Sequence, residues 1–102
     1  MNIQKMMKQM QKAQSAQADM QEKLEALDII GSAGGGMVKA TCTGSGQIKA
    51  LKLEKIVVDP EDVEALEDLI LVAIQDAQKK AADAQQTETS KLMSSLQIPG
   101  MR

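Results

Sequence analysis

The sequence predicts an α+β protein with a long N-terminal helix, a three-stranded antiparallel sheet and a long C-terminal helix, in α-β-β-β-α order. Residues 1–28 contain no Gly or Pro and are rich in helix-forming residues. Six of the seven glycines then fall between residues 29 and 46, and an Asp-Pro-Glu-Asp sequence at residues 59–62 opens a second helical segment. We expect one domain, residues 1–102, with these parts: a helical arm over 1–28, a sheet over 29–58, a second helix over 59–86 and a flexible or short-helical tail over 87–102.

The apolar residues of the first segment predict a helix with one narrow packed face. They recur at alternating steps of three and four residues, as in a coiled-coil seam, and Gln17 is the one polar residue on that seam. Lys5, Lys8 and Lys12 share another face, turned away from the seam, because each residue advances a helix by about 100°. The pattern therefore predicts a projecting arm with a basic face.

The glycine-rich stretch predicts turns within a small sheet and not a phosphate-binding loop. A P-loop requires Lys and then Ser or Thr directly after its last Gly, whereas Met37 and Val38 follow Gly36. A dinucleotide-binding fingerprint requires a further Gly where this chain has Lys39. The glycines are therefore expected to make the bends between strands.

The residues after the glycines alternate as they do in a half-buried strand. Val38, Ala40 and Cys42 fall on one side of this strand. A second strand over residues 47–53 follows a short Gly-Ser-Gly connection, so we expect a hairpin. Residues 27–32 are expected to add a short first strand.

The second helix is predicted to begin with Asp59 as N-cap and Pro60 in the first helical position. Its segment from Leu69 to Ile74 is apolar around the whole circumference, and such a helix must be covered on several sides. A three-stranded sheet and one narrow helix cannot cover it, so we expect a homodimer. The expected dimer interface consists of Leu66, Leu69, Ile70, Ala73 and Ile74.

The composition disfavours catalysis and metal binding. The chain has no His and a single Cys, Cys42, which removes histidine bases, His and Cys metal ligands and an internal disulfide. The paired acids at the start of the second helix are expected to form a solvated face. We therefore expect a protein that is not an enzyme and has no metal, cofactor or small-molecule substrate. Without a secretory or membrane-spanning segment, we expect it in the cytoplasm and away from membranes.

The net charge of −2 hides a segregated distribution, since residues 1–18 carry three lysines and no acid while residues 59–76 carry seven acids and no base. The basic arm has three open interpretations: an indifferent solvated surface, a site for phosphate backbones, or a helix lying on anionic lipid. A narrow apolar face without aromatic anchors disfavours lipid.

With no aromatic residue and a single Arg, Arg102, nucleic-acid binding would use lysine charges on phosphates. It would be salt-sensitive and weakly sequence-selective.

At GGGMVKATCTG and DPEDVEALEDLILVAIQDAQKKA the chain resembles the YbaB/EbfC family of bacterial nucleoid-associated proteins. A Gly-rich turn runs into the strand at Met37 to Gly44. An Asp-Pro-initiated helix carries Leu-Glu-Asp-Leu at residues 66–69, followed by Gln-Asp-Ala at 75–77, and the closing Ile-Pro-Gly-Met also fits.

The resemblance implies a tweezer-like homodimer that binds double-stranded DNA with little sequence preference and influences nucleoid organisation or gene expression. The implied DNA contacts are the basic positions of the projecting helices. These are Lys5, Lys8 and Lys12, with Lys79, Lys80 and Lys91 as second candidates.

An alternative function is a helical-arm adaptor or chaperone-like module that grips other proteins. Met6, Met7, Met10 and Met20 suit an adaptable protein-binding surface. Salt separates the two functions, because phosphate contacts weaken steeply with salt while apolar contacts do not.

Overall fold

The computed structural model describes residues 2–95, and its element order confirms the predicted fold class. Its helices and strands are α1 (Ile3–Glu25), β1 (Ile29–Ala33), β2 (Val38–Cys42), β3 (Ile48–Leu53) and α2 (Val63–Ser95), with a short 3₁₀ turn at Lys55–Val57. The strands form one antiparallel sheet in the order β1-β2-β3. The molecule measures 71 × 24 × 16 Å, because both helices are far longer than the strands. Residues 96–102 of the predicted tail lie outside the described residues.

One face of the sheet packs against α2. The inward residues of β2 are Val38, Ala40 and Cys42, which are fully buried as the alternation predicts. The residues of α2 that face them are Ala73, Ala77 and Ala81, also fully buried. Since alanine has a short side chain, the helix backbone lies close to the sheet, and the Cys42 Sγ donates a hydrogen bond to the Ala77 carbonyl at 3.4 Å.

The closest approach between helix and sheet is at Gly31 of β1. A Cβ atom at this position would lie 2.1 Å from the Ala77 nitrogen and 2.4 Å from the Ala73 carbonyl oxygen. Both are backbone atoms, so there is no room for any side chain. The glycine pattern alone does not reveal this role. Residues 34–36 do make the predicted bend, with positive φ angles at all three glycines between β1 and β2.

The N-cap of α2 lies three positions beyond the predicted N-cap. The Asp62 Oδ1 accepts a hydrogen bond from the Ala65 N–H at 3.2 Å, so Asp62 caps the helix. The Asp59 Oδ1 accepts from the Glu61 N–H at 2.9 Å and closes a turn before the helix. Asp59 and Asp62 lie three positions apart and are both suitable N-cap residues, and Asp62 is the one that caps α2.

The end of α2 lies beyond the predicted boundary at residue 86, because the helix continues to Ser95. Contacts from outside the segment support this extension. The Lys23 Nζ of α1 lies 3.2 Å from the Glu88 Oε2, and the Lys91 Nζ lies 3.6 Å from the other oxygen of the same carboxylate. The polar composition of residues 87–95 does not reveal these contacts.

The C-terminal end of α1, which we call the arm root (residues 23–26), is anchored to the β2–β3 turn. Leu24 is buried, and its carbonyl accepts the Gly44 N–H at 2.8 Å. The Ser45 Oγ donates to the Glu25 Oε1 at 2.8 Å. The Gln85 Nε2 of α2 donates to the Gly44 carbonyl, also at 2.8 Å. The β2–β3 turn therefore holds the arm root directly, and α2 holds it through the salt bridge between Lys23 and Glu88.

Candidate nucleic-acid interface

The free end of α1 carries three of the predicted lysines on one exposed face. Every residue from 2 to 15 is exposed, and the spacing of Lys5, Lys8 and Lys12 places them on the same side of the helix. Lys8 and Lys12 line a shallow groove that reaches Asp19, the first acid in the chain. Within residues 2–95, none of the three lysines forms a salt bridge. We call this free end, residues 2–15, the arm tip; its positive charge is uncompensated.

The helix backbone adds to the positive potential of the arm tip. The Asn2 Oδ1 caps α1 by accepting the Lys5 N–H at 3.3 Å, and the first turn contains no acidic residue. The N–H groups of a first turn carry the positive end of the helix dipole, where phosphates bind favourably. The lysine charges and the helix dipole therefore both favour the binding of phosphate at the arm tip.

Lys80, a second candidate from the sequence, has a structural role. Its Nζ lies 3.1 Å from the Asp76 Oδ2 and donates to the Ile30 carbonyl at 3.3 Å. The same Asp76 oxygen accepts the Ser32 N–H at 3.0 Å. Together the two side chains satisfy backbone groups on the free edge of β1, which would otherwise be open to pairing with another strand. The spacing of Asp76 and Lys80 predicts their ion pair, but it does not reveal the contact with β1.

Lys91 and Lys79 differ in their surroundings. Lys91 shares the carboxylate of Glu88 with Lys23. The hydrogen bond from Lys23 holds the pKa of Glu88 below its ordinary value, so that carboxylate stays charged at neutral pH. Lys79 is exposed and, in the part of the chain that the structure describes, forms no salt bridge. Of the three candidates on α2, Lys79 alone therefore forms no salt bridge within the described residues.

We expect the contact between Asp76 and β1 to weaken in acid. The Ser32 N–H, and then Lys80, hold the pKa of Asp76 below its ordinary value. A carboxylate with a lowered pKa stabilises the fold above the ordinary aspartate pKa of about 3.9, and this contribution is lost as the pH falls through the folded-state pKa. Asp76→Asn should therefore lower the urea midpoint at about pH 7 and lower it by less at about pH 3.

The control is Asp83→Asn, an exposed position on the same helix whose carboxylate forms no salt bridge within the described residues. This variant should leave both midpoints nearly unchanged. An equal loss of stability at both pH values in Asp76→Asn would contradict the ionic role of Asp76.

The acids at the start of α2 are exposed, as predicted for a solvated face; they are Asp59, Glu61, Asp62, Glu64, Glu67 and Asp68. Over residues 2–95, no group of three or more His, Cys, Asp or Glu side chains is arranged to hold a metal ion. Across the same residues, every helix is too short or too polar to cross a bilayer.

The predicted dimer-interface residues of α2 lie largely against the chain's own sheet. Ala73 is fully buried in the core, and Leu69, Ile70 and Ile74 pack partly against it. Leu66 is half-buried. Ala73 is therefore not available to a partner, because the close approach of β1 already covers it.

A different apolar surface is left open, because α2 lies over β1 and β2 and not over β3. Leu51 of β3 pairs with the buried Ala40, so it points toward the α2 side of the sheet, yet it is 43% exposed. Leu71 is 54% exposed and lies on the β3 side of α2. This follows from Gln78, seven residues further along the same helix face, which donates to the Gly46 carbonyl beside β3. We call the uncovered region between β3 and this side of α2, with the exposed Leu51 and Leu71, the open side.

The chain matches the model of the YbaB/EbfC DNA-binding family over residues 1–96. A nucleoid-associated protein of Staphylococcus aureus is 50% identical over 100 residues, which are 98% of this chain and 95% of that protein. A nucleoid-associated protein of Rhodospirillum centenum is 47% identical over 98 residues, with 96% and 92% covered. The crystal structure of an uncharacterised Helicobacter pylori protein, 19% identical, matches the fold with a TM-score of 0.79 over 91% of this chain and 98% of that one. On the strength of the family match and the high identity to these relatives, the chain belongs to the YbaB/EbfC DNA-binding family.

Proposed function

We propose that this protein binds duplex DNA through the lysines of the arm tip and thereby influences nucleoid organisation or gene expression. The observation that carries the proposal is the uncompensated charge of Lys5, Lys8 and Lys12 at a helix N-terminus that projects from the fold. The relatives from Staphylococcus aureus and Rhodospirillum centenum are named nucleoid-associated proteins, which supports a place for this protein at the nucleoid of the bacterial cytoplasm.

Binding would be weakly sequence-selective. The chain has no aromatic side chain to stack on bases and one Arg, so the side chains that usually read base edges are scarce. Lysine ammonium groups act as point charges on backbone phosphates, which position a protein on the duplex without reading its sequence. Each such contact makes the affinity fall further with salt.

Among the candidate lysines, those of the arm tip fit phosphate binding best. Lys80 and Lys91 are each held by an acidic side chain, so a phosphate would have to compete with a carboxylate already in place. Lys79 remains a single charge on α2. The arm tip combines three charges with the helix dipole.

A homodimer would cover the open side. Leu51 of β3 and Leu71 of α2 are exposed, while Leu53 of β3 and Ile74 of α2 pack on the core and are only partly buried. A second copy that places its own α2 over β3 would bury both leucines and supply the cover that a small core without aromatic residues lacks. Both arms would then project from one central body.

A catalytic role has little support in the described residues. Cys42 is buried and donates its thiol hydrogen to a backbone carbonyl. Burial raises the pKa of this thiol, and the opposing effect of Lys49 is smaller, so the reactive thiolate is disfavoured at neutral pH. With no His in the chain to act as its base, a non-enzymatic function without cofactor or small-molecule substrate is part of the proposal.

One observation favours the adaptor function as a second candidate. Met6, Met7 and Met10 are exposed on the arm together with Ile3, and flexible methionine surfaces suit protein partners. Binding through these residues would persist at high salt, whereas binding through the lysines would not.

Substitution of Lys5, Lys8 and Lys12 by Gln tests the DNA proposal. Fluorescence anisotropy with two labelled duplexes of unrelated sequence, from low salt to about 200 mM, should show similar affinities for both. The plot of log affinity against log salt should be linear, and the triple variant should lose about one unit of slope for each phosphate contact removed. Circular dichroism should show an unchanged helix content, since the three side chains are exposed.

The matched control removes the same charge from three lysines outside the arm tip and the arm root, Lys49, Lys55 and Lys91. Lys49 and Lys91 are paired with acids, and Lys55 is exposed in the turn after β3. This variant should keep most of the salt slope. A larger loss in the control than in the arm-tip variant would move the site away from the tip. No binding by the unaltered protein at low salt would rule out the DNA proposal and favour the adaptor function.

A further inference from the structure

The sheet face that points away from α2 carries two lysines directly opposite each other. The strand register pairs Lys39 of β2 with Lys52 of β3 and places Ser32 of β1 at the end of the same row. All three side chains are exposed. Within residues 2–95, neither lysine forms a salt bridge. We call this surface the outer face.

This lysine pair is unfavourable for the fold alone, because like charges directly opposite each other destabilise a sheet. Two other lysines at the sheet are compensated, since Lys49 pairs with Asp28 and Lys80 with Asp76. Lys39 and Lys52 repel each other, and neither is paired with an acid in the described residues. An anion bound between them would offset this repulsion and account for the pairing.

The shape of the outer face suits an extended anion. The next row across the sheet consists of Ile30, Thr41 and Ala50, so two of its three side chains are small. The hydroxyl groups of Ser32 and Thr41 are available as further donors, since each side chain is without a hydrogen-bond partner in the described part of the chain. A strand of phosphates can therefore approach the flat surface closely while the two longer lysine side chains reach toward it.

The outer-face lysines and the arm root lie at opposite ends of the strands. The row of Lys39 and Lys52 lies next to the turn at residues 34–37, whereas the arm root is held at the opposite end of the strands by Gly44. A single phosphate-binding surface that included both the arm-tip lysines and the outer-face lysines would therefore have to extend across the whole sheet.

We propose that the outer face is a second contact site for the phosphate backbone of DNA, formed by Lys39 and Lys52 and separate from the arm tip. The site rests on the proposed function and extends it from one basic surface to two. Glu54 follows Lys52 by two residues, so strand alternation places it on the same face. It is the acid that would oppose DNA there.

The double variant Lys39→Thr and Lys52→Thr tests the second site. Threonine preserves the strand preference of both positions. We expect the fold to become more stable, with a higher urea midpoint, because the repulsion between the lysines is removed. We expect DNA binding to weaken: the affinity for a duplex of about 20 base pairs should fall roughly tenfold at about 100 mM salt. The slope of log affinity against log salt should become smaller by about 2 units. A higher midpoint with unchanged affinity and slope would identify the outer face as a solvated surface only and overturn the inference.

Two single variants sharpen the result. Glu54→Gln removes the opposing acid and should raise the affinity. Lys49→Thr removes one charge from the same strand, but that charge is already paired with Asp28, so the salt slope should not change. If the arm-tip variant loses binding while the Lys39 and Lys52 variant binds like the unaltered protein, the outer-face site alone is overturned. If the unaltered protein itself fails to bind at low salt, the proposed function falls as well.

Discussion

Replacement of Gly31 by Ala is expected to destabilise the fold by about 3 kcal/mol, at the upper end of the usual cost of overpacking a core. The added methyl group would lie 2.1 Å from the Ala77 nitrogen and 2.4 Å from the Ala73 carbonyl oxygen. Backbone atoms of a helix cannot rotate away as a flexible side chain can, so β1 or α2 must shift as a whole. The shift would also pull Asp76 away from the Ser32 N–H on the same strand. Urea unfolding, followed by circular dichroism at a fixed protein concentration, measures the loss.

The control for Gly31 is Gly35→Asn. Gly35 has open space around its missing side chain and a φ of +66°, a conformation that Asn tolerates better than most residues. We expect a cost of about 1 kcal/mol or less. Equal midpoints for Gly31→Ala and the unaltered protein would mean that β1 and α2 are further apart than the structure places them.

Replacement of Leu71 by Asp is expected to convert a dimer into a monomer. Leu71 is 54% exposed in one chain, so the monomer can accept a carboxylate there with little loss of packing. In the proposed dimer the same side chain is buried, and an unpaired charge would cost about 3 kcal/mol or more, which weakens the dissociation constant by over about a hundredfold. Light scattering at micromolar concentration should give a mass of twice 11.0 kDa for the unaltered protein and 11.0 kDa for the variant.

The matched control for Leu71 is Met93→Asp on the same helix. Met93 is 69% exposed and lies beyond the part of α2 that packs on the sheet, so its substitution should leave the mass unchanged. Both variants carry the same helix-propensity cost and the same added charge. A monomeric mass for the unaltered protein would contradict the dimer, and a dimeric mass for Leu71→Asp would move the interface off the open side.

The fold was predictable wherever short-range patterns determine it. Period-two alternation identified the buried side of β2, the absence of Gly and Pro identified α1, and the Asp-Pro-Glu-Asp sequence with the apolar spacing after it identified α2. Boundaries set by distant contacts were not predictable in the same way. The part of α2 beyond residue 86 is contacted from α1 by Lys23, which forms a salt bridge with Glu88. The start of α2 depends on which of two similar capping residues, Asp59 or Asp62, is used. Gly31 was grouped with the turn glycines because only the three-dimensional structure brings it against α2.

The candidate site was predictable to the extent that it lies on one helix. Lys5, Lys8 and Lys12 share a face by helical geometry alone, and the structure places them there on an exposed arm tip. The pairing of Lys39 with Lys52 depends on strand register, which the sequence leaves open. The role of Lys80 depends on a backbone carbonyl 50 positions earlier in the chain.

Because the arm root is anchored, a small rotation of α1 at the root moves the far end of the helix over a larger distance. Lys5 lies 19 residues from Leu24, which corresponds to about 29 Å along a helix. A rotation of about 10° at the root would therefore displace Lys5 by about 5 Å, more than the roughly 3.4 Å rise between successive phosphates of one DNA strand. Gly44, Ser45 and Glu25 touch no DNA in the proposed arrangement, yet the hydrogen bonds they make at the arm root decide which phosphates the arm tip can reach.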